Sequence, residues 1–215
     1  MRFLWPALIV AALGCNRPQI SSNSSETADA KDPGVRVRTF TDPRDSVMYP
    51  TIGDSGKLWL ANELYFKTPN SRCYNDAKEC GEFGRMYSFD EAKLACPTGW
   101  HLPSEEEWRG LIDAVGGYYD LRTGTAIGDP RASYTALTVG SFNAKLTGSR
   151  SPEGKYIDQG GDGMYWTSSS CGGADSVALI VFNEKSGRVM RDCDAATGWM
   201  QSVRCVHDVR EGNFK

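Results

Sequence analysis

The chain has 215 residues, a formal charge of -3 and 24% charged residues, a size that allows one globular domain with a sizeable core. An acidic balance without a basic stripe gives no electrostatic footprint for nucleic acid. Seven cysteines stand against two histidines, and no CxxC pair or closely spaced Cys/His set of the kind zinc needs occurs. Neither a metal nor a cofactor is implied.

The first fifteen positions read as an export signal. Arg2 supplies a short positive region, residues 3–13 an apolar run, and Leu13-Gly14-Cys15 a small-residue site ending in cysteine. The run is too short to cross a bilayer. A cysteine directly after Ala-Leu-Gly is similar to the lipobox of bacterial lipoproteins, in which Cys15 would be lipidated and become the mature N-terminus. Ala12 and Leu13 depart from the usual residues of that motif, and ordinary cleavage with Cys15 left as a spare thiol is the competing reading. Residues 1–14 are therefore expected as a signal peptide and 15–45, rich in Ser, Asn, Thr, Asp and Pro, as a lipidated cysteine and flexible tether. Residues 46–208 are expected as the domain and 209–215 as a tail.

Ordered structure is expected from about Val47. Short β-like runs at 47–49 and 57–60 flank Gly53-Asp54-Ser55-Gly56, which reads as a hairpin turn. Ser88 with Glu91, and Ser104 with Glu107, are capping-box pairs opening two helices. The first covers 89–96 and stops at Pro97. The second carries Trp108, Leu111, Ile112 and Val115 on one face, with Trp108 as core and Gly116 as its C-cap. Residues 118–163 are dense in Gly, Ser, Thr, Asp and Pro and read as long loops. Strands return at 164–168, 177–182, 188–191 and 202–207. This order predicts an α+β fold of two short helices, an antiparallel sheet and long loops, stapled by disulfides.

Setting Cys15 aside leaves an even number of cysteines in an exported chain. Cys73 and Cys80 enclose a polar loop and pair locally. Cys171 and Cys193 flank a hairpin turning at 183–187, where a bridge would tie down its loops. Cys96 then joins Cys205, clamping a helix to the final strand. Closing a loop on the order of 100 residues is worth about 4–5 kcal/mol in the loop-entropy account.

Several blocks resemble one family. They are Trp59-Leu60-Ala61-Asn62-Glu63-Leu64, Cys73-Tyr74-Asn75-Asp76, Gly84-Arg85-Met86-Tyr87, Cys96-Pro97-Thr98-Gly99-Trp100-His101-Leu102-Pro103-Ser104, Tyr165-Trp166-Thr167-Ser168-Ser169 and Ser202-Val203-Arg204-Cys205-Val206. Together they are similar to the Fibrobacter succinogenes major paralogous domain, in order from about residue 47 to 208. The resemblance implies a C-type-lectin-like fold on an exported bacterial lipoprotein, in a family without an established general activity. The Cys96–Cys205 and Cys171–Cys193 pairings also look like the two bridges of that broader fold.

Fold does not transfer function, so sites are weighed by their chemistry. The Glu-Pro-Asn or Gln-Pro-Asp tripeptide and Trp-Asn-Asp run of calcium-dependent lectins are absent from the sequence. Asp158 to Gly163 resembles a calcium loop superficially, but Gly160 offers no side-chain oxygen and Ser169 stands where a closing Glu would fall. No nucleophile elbow, His-Glu-x-x-His or phosphate loop occurs, and no segment matches the reactive-cysteine region of formylglycine-generating enzymes. His101 reads as a structural hydrogen-bonding residue and His207 as a surface residue, while Glu105 and Glu106 suit a helix's first turn.

The expected function is an exported, lipid-anchored surface or periplasmic binding module of the bacterial cell envelope, carried by an outer-membrane or surface lipoprotein. Its ligand would be a polysaccharide or a surface protein, held without calcium and without turnover. Tyr118, Tyr119, Tyr134, Phe142, Tyr156, Trp166 and Trp199 are scattered among polar loops, where exposed rings could grip such a ligand. Trp166 reads as core, and Trp199 is open between core and ligand. Asp158, Asp162 and Trp199 are the candidate ligand-binding residues. The alternatives are a structural or assembly component of the envelope and, behind it, an enzyme such as a carbohydrate-active hydrolase.

Overall fold

The computed structural model describes residues 38–173 and 175–209. Cys15, the expected signal at 1–14 and residues 15–37 of the expected tether lie outside the described residues, as do 210–215 of the expected tail. No helix among the described residues is long and apolar enough to cross a membrane.

The described chain opens with a small antiparallel sheet. Strand β2 (Met48–Asp54) turns back into β3 (Lys57–Leu60), with Asp54 opposite Lys57. The two residues left over, Ser55 and Gly56, both have positive φ (45° and 78°), as a two-residue I′ turn requires. Strand β1 (Arg38–Thr41) pairs with the outer edge of β2, so ordered chain begins before Val47 and inside the segment expected as tether. Its residues are mostly exposed, and Phe40, against Trp100 at 4.8 Å, is its anchor. One apolar residue among polar neighbours gives little strand signal.

Both expected helices form. Helix α1 (Phe89–Ala95) is capped by Ser88, whose hydroxyl accepts from the Glu91 N–H. The Glu91 carboxylate does not return the bond; it accepts from the Asn70 N–H at 2.8 Å instead. Helix α2 (Glu105–Asp113) has the full reciprocal box, Ser104 with Glu107. Trp108, Leu111 and Ile112 are buried, but the helix ends at Ala114 and Val115 is 37% exposed. Gly116 is not its C-cap. A side chain there would press on the Asp129 carbonyl at 2.5 Å, so the glycine serves a close chain approach.

Residues 118–163 are more regular than expected. They contain most of a hairpin, β5 (Gly117–Asp120) and β6 (Thr125–Gly128), and helix α3 (Pro130–Val139). Asp129 caps α3 by accepting from the Arg131 and Ala132 N–H groups, with Pro130 in its first turn. Two short strands follow, β7 (Ser149–Arg150) and β8 (Tyr156–Ile157). Few large apolar side chains mark these elements, because β6 is exposed throughout and α3 buries only Pro130, Ser133 and Leu137.

The centre is a mixed nine-stranded sheet rather than an antiparallel one. Its long strands are β9 (Asp162–Ser170), β10 (Ser176–Asn183) and β11 (Arg188–Ala195). The expected last strand at 202–207 is split into β12 (Met200–Ser202) and β13 (Val206–Asp208). Numbering the remaining early strand Met86–Ser88 as β4 completes the set. β5 runs parallel to β11 and β12 parallel to β9, while β13 joins β3 in the small sheet.

Strand alternation divides the core in two. On β10, Ile180 and Phe182 enter one cluster with Trp59, Trp108, Phe142 and Tyr165. Val177, Leu179 and Val181 enter the other with Tyr49, Leu60, Tyr87 and Trp166. Trp108 and Trp166 are both 0% exposed, as expected of core residues. All three expected bridges are present: Cys73–Cys80, Cys96–Cys205 and Cys171–Cys193, with Cα separations of 4.7, 5.8 and 5.9 Å.

Candidate functional site: a loop-lined groove

Arg204 lies in the break between β12 and β13. Arg204 turns its guanidinium into the interior, where an NH2 group donates to Glu63 Oε1 at 2.8 Å; both side chains are 0% exposed. The same guanidinium donates to the carbonyls of Leu60, Phe142 and Asn143 at 2.8 to 3.0 Å. Glu63 Oε1 also accepts from the Tyr165 hydroxyl and from the Lys145 N–H at 3.0 Å. Burial and the Glu63 charge push the Tyr165 phenol well above its ordinary range, so it acts as a donor. Glu63 Oε2 and Arg204 Nε have no partner among the described residues. The protein therefore does not recover the full desolvation cost of the pair. What the network holds is the loop at 142–145.

That loop forms one wall of an open groove of about 460 Å³. Phe83, Tyr134, Asn143, Lys145, Leu146 and Glu184 line it, and Gly160 adds bare backbone. Phe83 closes the short 3-10 turn Gly81–Phe83 that follows Cys80, Tyr134 lies on α3, and Glu184 on the turn between β10 and β11. The Tyr134 hydroxyl donates to Glu184 Oε2, and burial together with that carboxylate raises the phenol's pKa. Lys145 is paired with Glu82 at 2.6 Å. Asn143 lines the groove; its side-chain amide has no hydrogen-bond partner among the described residues, and its backbone is held at φ 53°.

Two of the three expected ligand-binding residues lie together beside the groove. The Asp158 carbonyl accepts from the Gly161 and Asp162 N–H groups, closing the turn that presents Gly160. Asp158 is exposed and Asp162 half-buried. Burial, with the Asp158 charge, outweighs the Asn183 amide and raises the Asp162 pKa. Trp199 is elsewhere: half-buried, it packs against the second core cluster and does not line the groove. Of the scattered aromatic residues, Tyr118, Phe142 and Trp166 are core. Tyr156 packs against Tyr74 with tilted rings, centroids 5.1 Å apart, and Tyr134 alone among them lines the groove.

A second polar cluster joins α2 to the small sheet. His101 Nε2 and Lys57 Nζ contact Glu107 Oε1 at 2.9 and 2.7 Å, and Lys57 reaches Asp208 at 2.5 Å. His101, Glu107 and Asp208 have the spacing of a metal-binding trio, but the Lys57 ammonium occupies the cation position between the carboxylates. His101 is thus a hydrogen-bonding residue. His207 contacts the Gly99 carbonyl at 2.5 Å and the Trp100 ring at 5.5 Å, so it is not a bare surface side chain.

Sequence reasoning passed over the groove's supports. A lone Glu63 within an apolar run and Arg204 between Val203 and Cys205 are the available signals of a buried pair. The chain matches the Fibrobacter succinogenes major domain over residues 53–207 and belongs to that family. This range contains the groove, the buried pair and all three bridges. No curated protein and no solved structure matches it.

Proposed function

We propose that the chain is an exported, lipid-anchored binding module of the bacterial cell envelope. Its domain holds a ligand in the groove beside α3 without calcium and without turnover. The observation that carries this reading is the expenditure of a fully buried, incompletely paired Arg204–Glu63 network on fixing a surface loop. A buried ion pair is a poor source of net stability, whereas loops held on a rigid scaffold are where ligands are commonly gripped. Tyr134, Phe83 and the Asn143 amide, which has no partner among the described residues, offer rings and hydrogen bonds to such a ligand. Asp158 and Asp162 support the groove through the turn carrying Gly160, and Trp199 is proposed as a separate contact.

A C-type-lectin-like architecture belongs to the same proposal. Its support is the mixed α+β fold with one bridge joining α1's end to the last strand region and another across the β10–β11 hairpin. Cys15 would carry the lipid, and display of many copies on one surface would raise avidity for a weakly held ligand.

To test the function, cell-wall and plant polysaccharides and candidate surface proteins are titrated against the full-length protein in detergent, in calcium and in chelator. The titrations are repeated with Tyr134, Asp158, Asp162 and Trp199 each replaced by Ala. Binding that survives chelator and weakens in Tyr134→Ala supports the proposal. Chelator-sensitive binding overturns the calcium-free part, product formation overturns the non-enzymatic part, and binding unaffected at every position places the site outside the groove.

A further inference from the structure

The ligand class follows from how the groove is wired, and this step rests on the binding-module reading above. Lys145, the cation lining the groove, is matched by Glu82 at 2.6 Å, so it is not free to recruit an acidic polymer. The Glu184 carboxylate accepts the Tyr134 hydroxyl, and an acidic side chain in the lining further disfavours a polyanion. What is left for a ligand is neutral chemistry on fixed supports.

Tyr134 is tied at two points, its hydroxyl on Glu184 and its ring against Phe182 with centroids 6.5 Å apart. A ring fixed before binding loses little freedom when a ligand stacks on it. Asn143 is held as firmly. Its carbonyl accepts from buried Arg204 at 2.9 Å, and its N–H donates to Gly140 at 3.1 Å. Its side-chain amide, unpartnered among the described residues, offers a donor and an acceptor side by side. Paired donor and acceptor groups suit hydroxyls, which both give and receive hydrogen bonds. An aromatic face beside them suits the C–H face of a sugar ring.

We propose that the groove binds a neutral saccharide chain, with Tyr134 stacking on one ring while the Asn143 amide and the Glu184 carboxylate take its hydroxyls. The binding is weak because the groove is shallow and open. Recognition is of hydroxyl pattern rather than charge.

The test is calorimetric titration of the full-length protein in detergent with cellohexaose, xylohexaose and mannohexaose. Oligogalacturonate and a panel of unrelated peptides serve as the competing ligand classes. At least one neutral hexaose is expected to bind with a Kd of about 0.1–1 mM, and oligogalacturonate more weakly. Tyr134→Ala and Asn143→Gly should each weaken it roughly three- to tenfold, while Tyr134→Phe retains stacking and stays within about threefold. Gly at 143 accepts the left-handed backbone, so this variant removes the amide even if Tyr134→Ala unfolds the region. No binding of any neutral hexaose, preference for oligogalacturonate, or unchanged affinity in both deletion variants overturns the inference. Peptide binding lost in Tyr134→Ala, without saccharide binding, overturns the ligand class and leaves the binding-module reading standing. Failure of every ligand class at the groove overturns both.

Discussion

Arg204 and Glu63, 141 positions apart, meet at 2.8 Å with neither side chain exposed to solvent. Each single replacement strands the other charge in the core. Arg204→Met and Glu63→Leu are each expected to cost about 3–5 kcal/mol. Pairing Arg204→Met with Glu63→Leu should restore part of the loss, because no charge is then left buried. Denaturant melts of the four proteins check this, and additive losses in the double variant would show that the two side chains act separately. Groove binding should fall in the double variant even where stability returns, since the loop at 142–145 loses its holder.

The three bridges are not equivalent. Cys96–Cys205 spans 109 positions, against 7 for Cys73–Cys80. Replacing the long bridge with a Ser pair should cost more, within the roughly 2–5 kcal/mol usual for exported domains. Non-reducing peptide mapping checks connectivity, and melting curves of the two paired-Ser variants check the order.

Acid should act through Glu107. Burial alone would raise its pKa, but Lys57, the Ser104 N–H and His101 outweigh that and hold it at about 2, below the ordinary 4.5. A depressed folded value means that its stabilisation is fully present above about 4.5 and is lost as pH falls toward 2. Asp208, lowered by Lys57 in spite of slight burial, contributes with the same sign. Glu107→Gln should be less stable at pH 7 and lose less between pH 5 and 2 than the parent. Melting temperature against pH in both proteins is the measurement, and parallel curves would contradict this assignment.

Cys15 makes a separate prediction about location. The N-terminal peptide of the mature protein should begin at this residue and carry the mass of a diacylglyceryl group and fatty acyl chains. Cys15→Ala should move the protein out of the membrane fraction. A mature N-terminus without that mass increment rules the anchor out.

Legibility in the sequence followed the range of the interaction. The Ser104–Glu107 box, the turn expected within Gly53-Asp54-Ser55-Gly56, which the structure narrows to Ser55 and Gly56, and the parity of six cysteines are local or combinatorial signals, and each corresponds to a feature of the structure. Helix α3 was hidden because much of its surface is polar, although Asp129-Pro130 marks its start. The groove was less legible still. Phe83, Tyr134, Lys145 and Glu184 come from four separate stretches, and no spacing rule joins them. Asp158 and Asp162 were drawn out by a resemblance to a calcium loop; the fold places them in the turn beneath Gly160, while Trp199 goes to another core.

The strand order of the small sheet, β1-β2-β3-β13, has an architectural consequence. β1 and β13 run in opposite directions, and the pairings set the start of β1 and the close of β13 toward the same end, that of the Ser55-Gly56 turn. Entry and exit are three strand spacings apart, about 14 Å. A polypeptide that comes and goes through one doorway can be spliced into a surface loop of a host protein, or strung in series, without rethreading either partner.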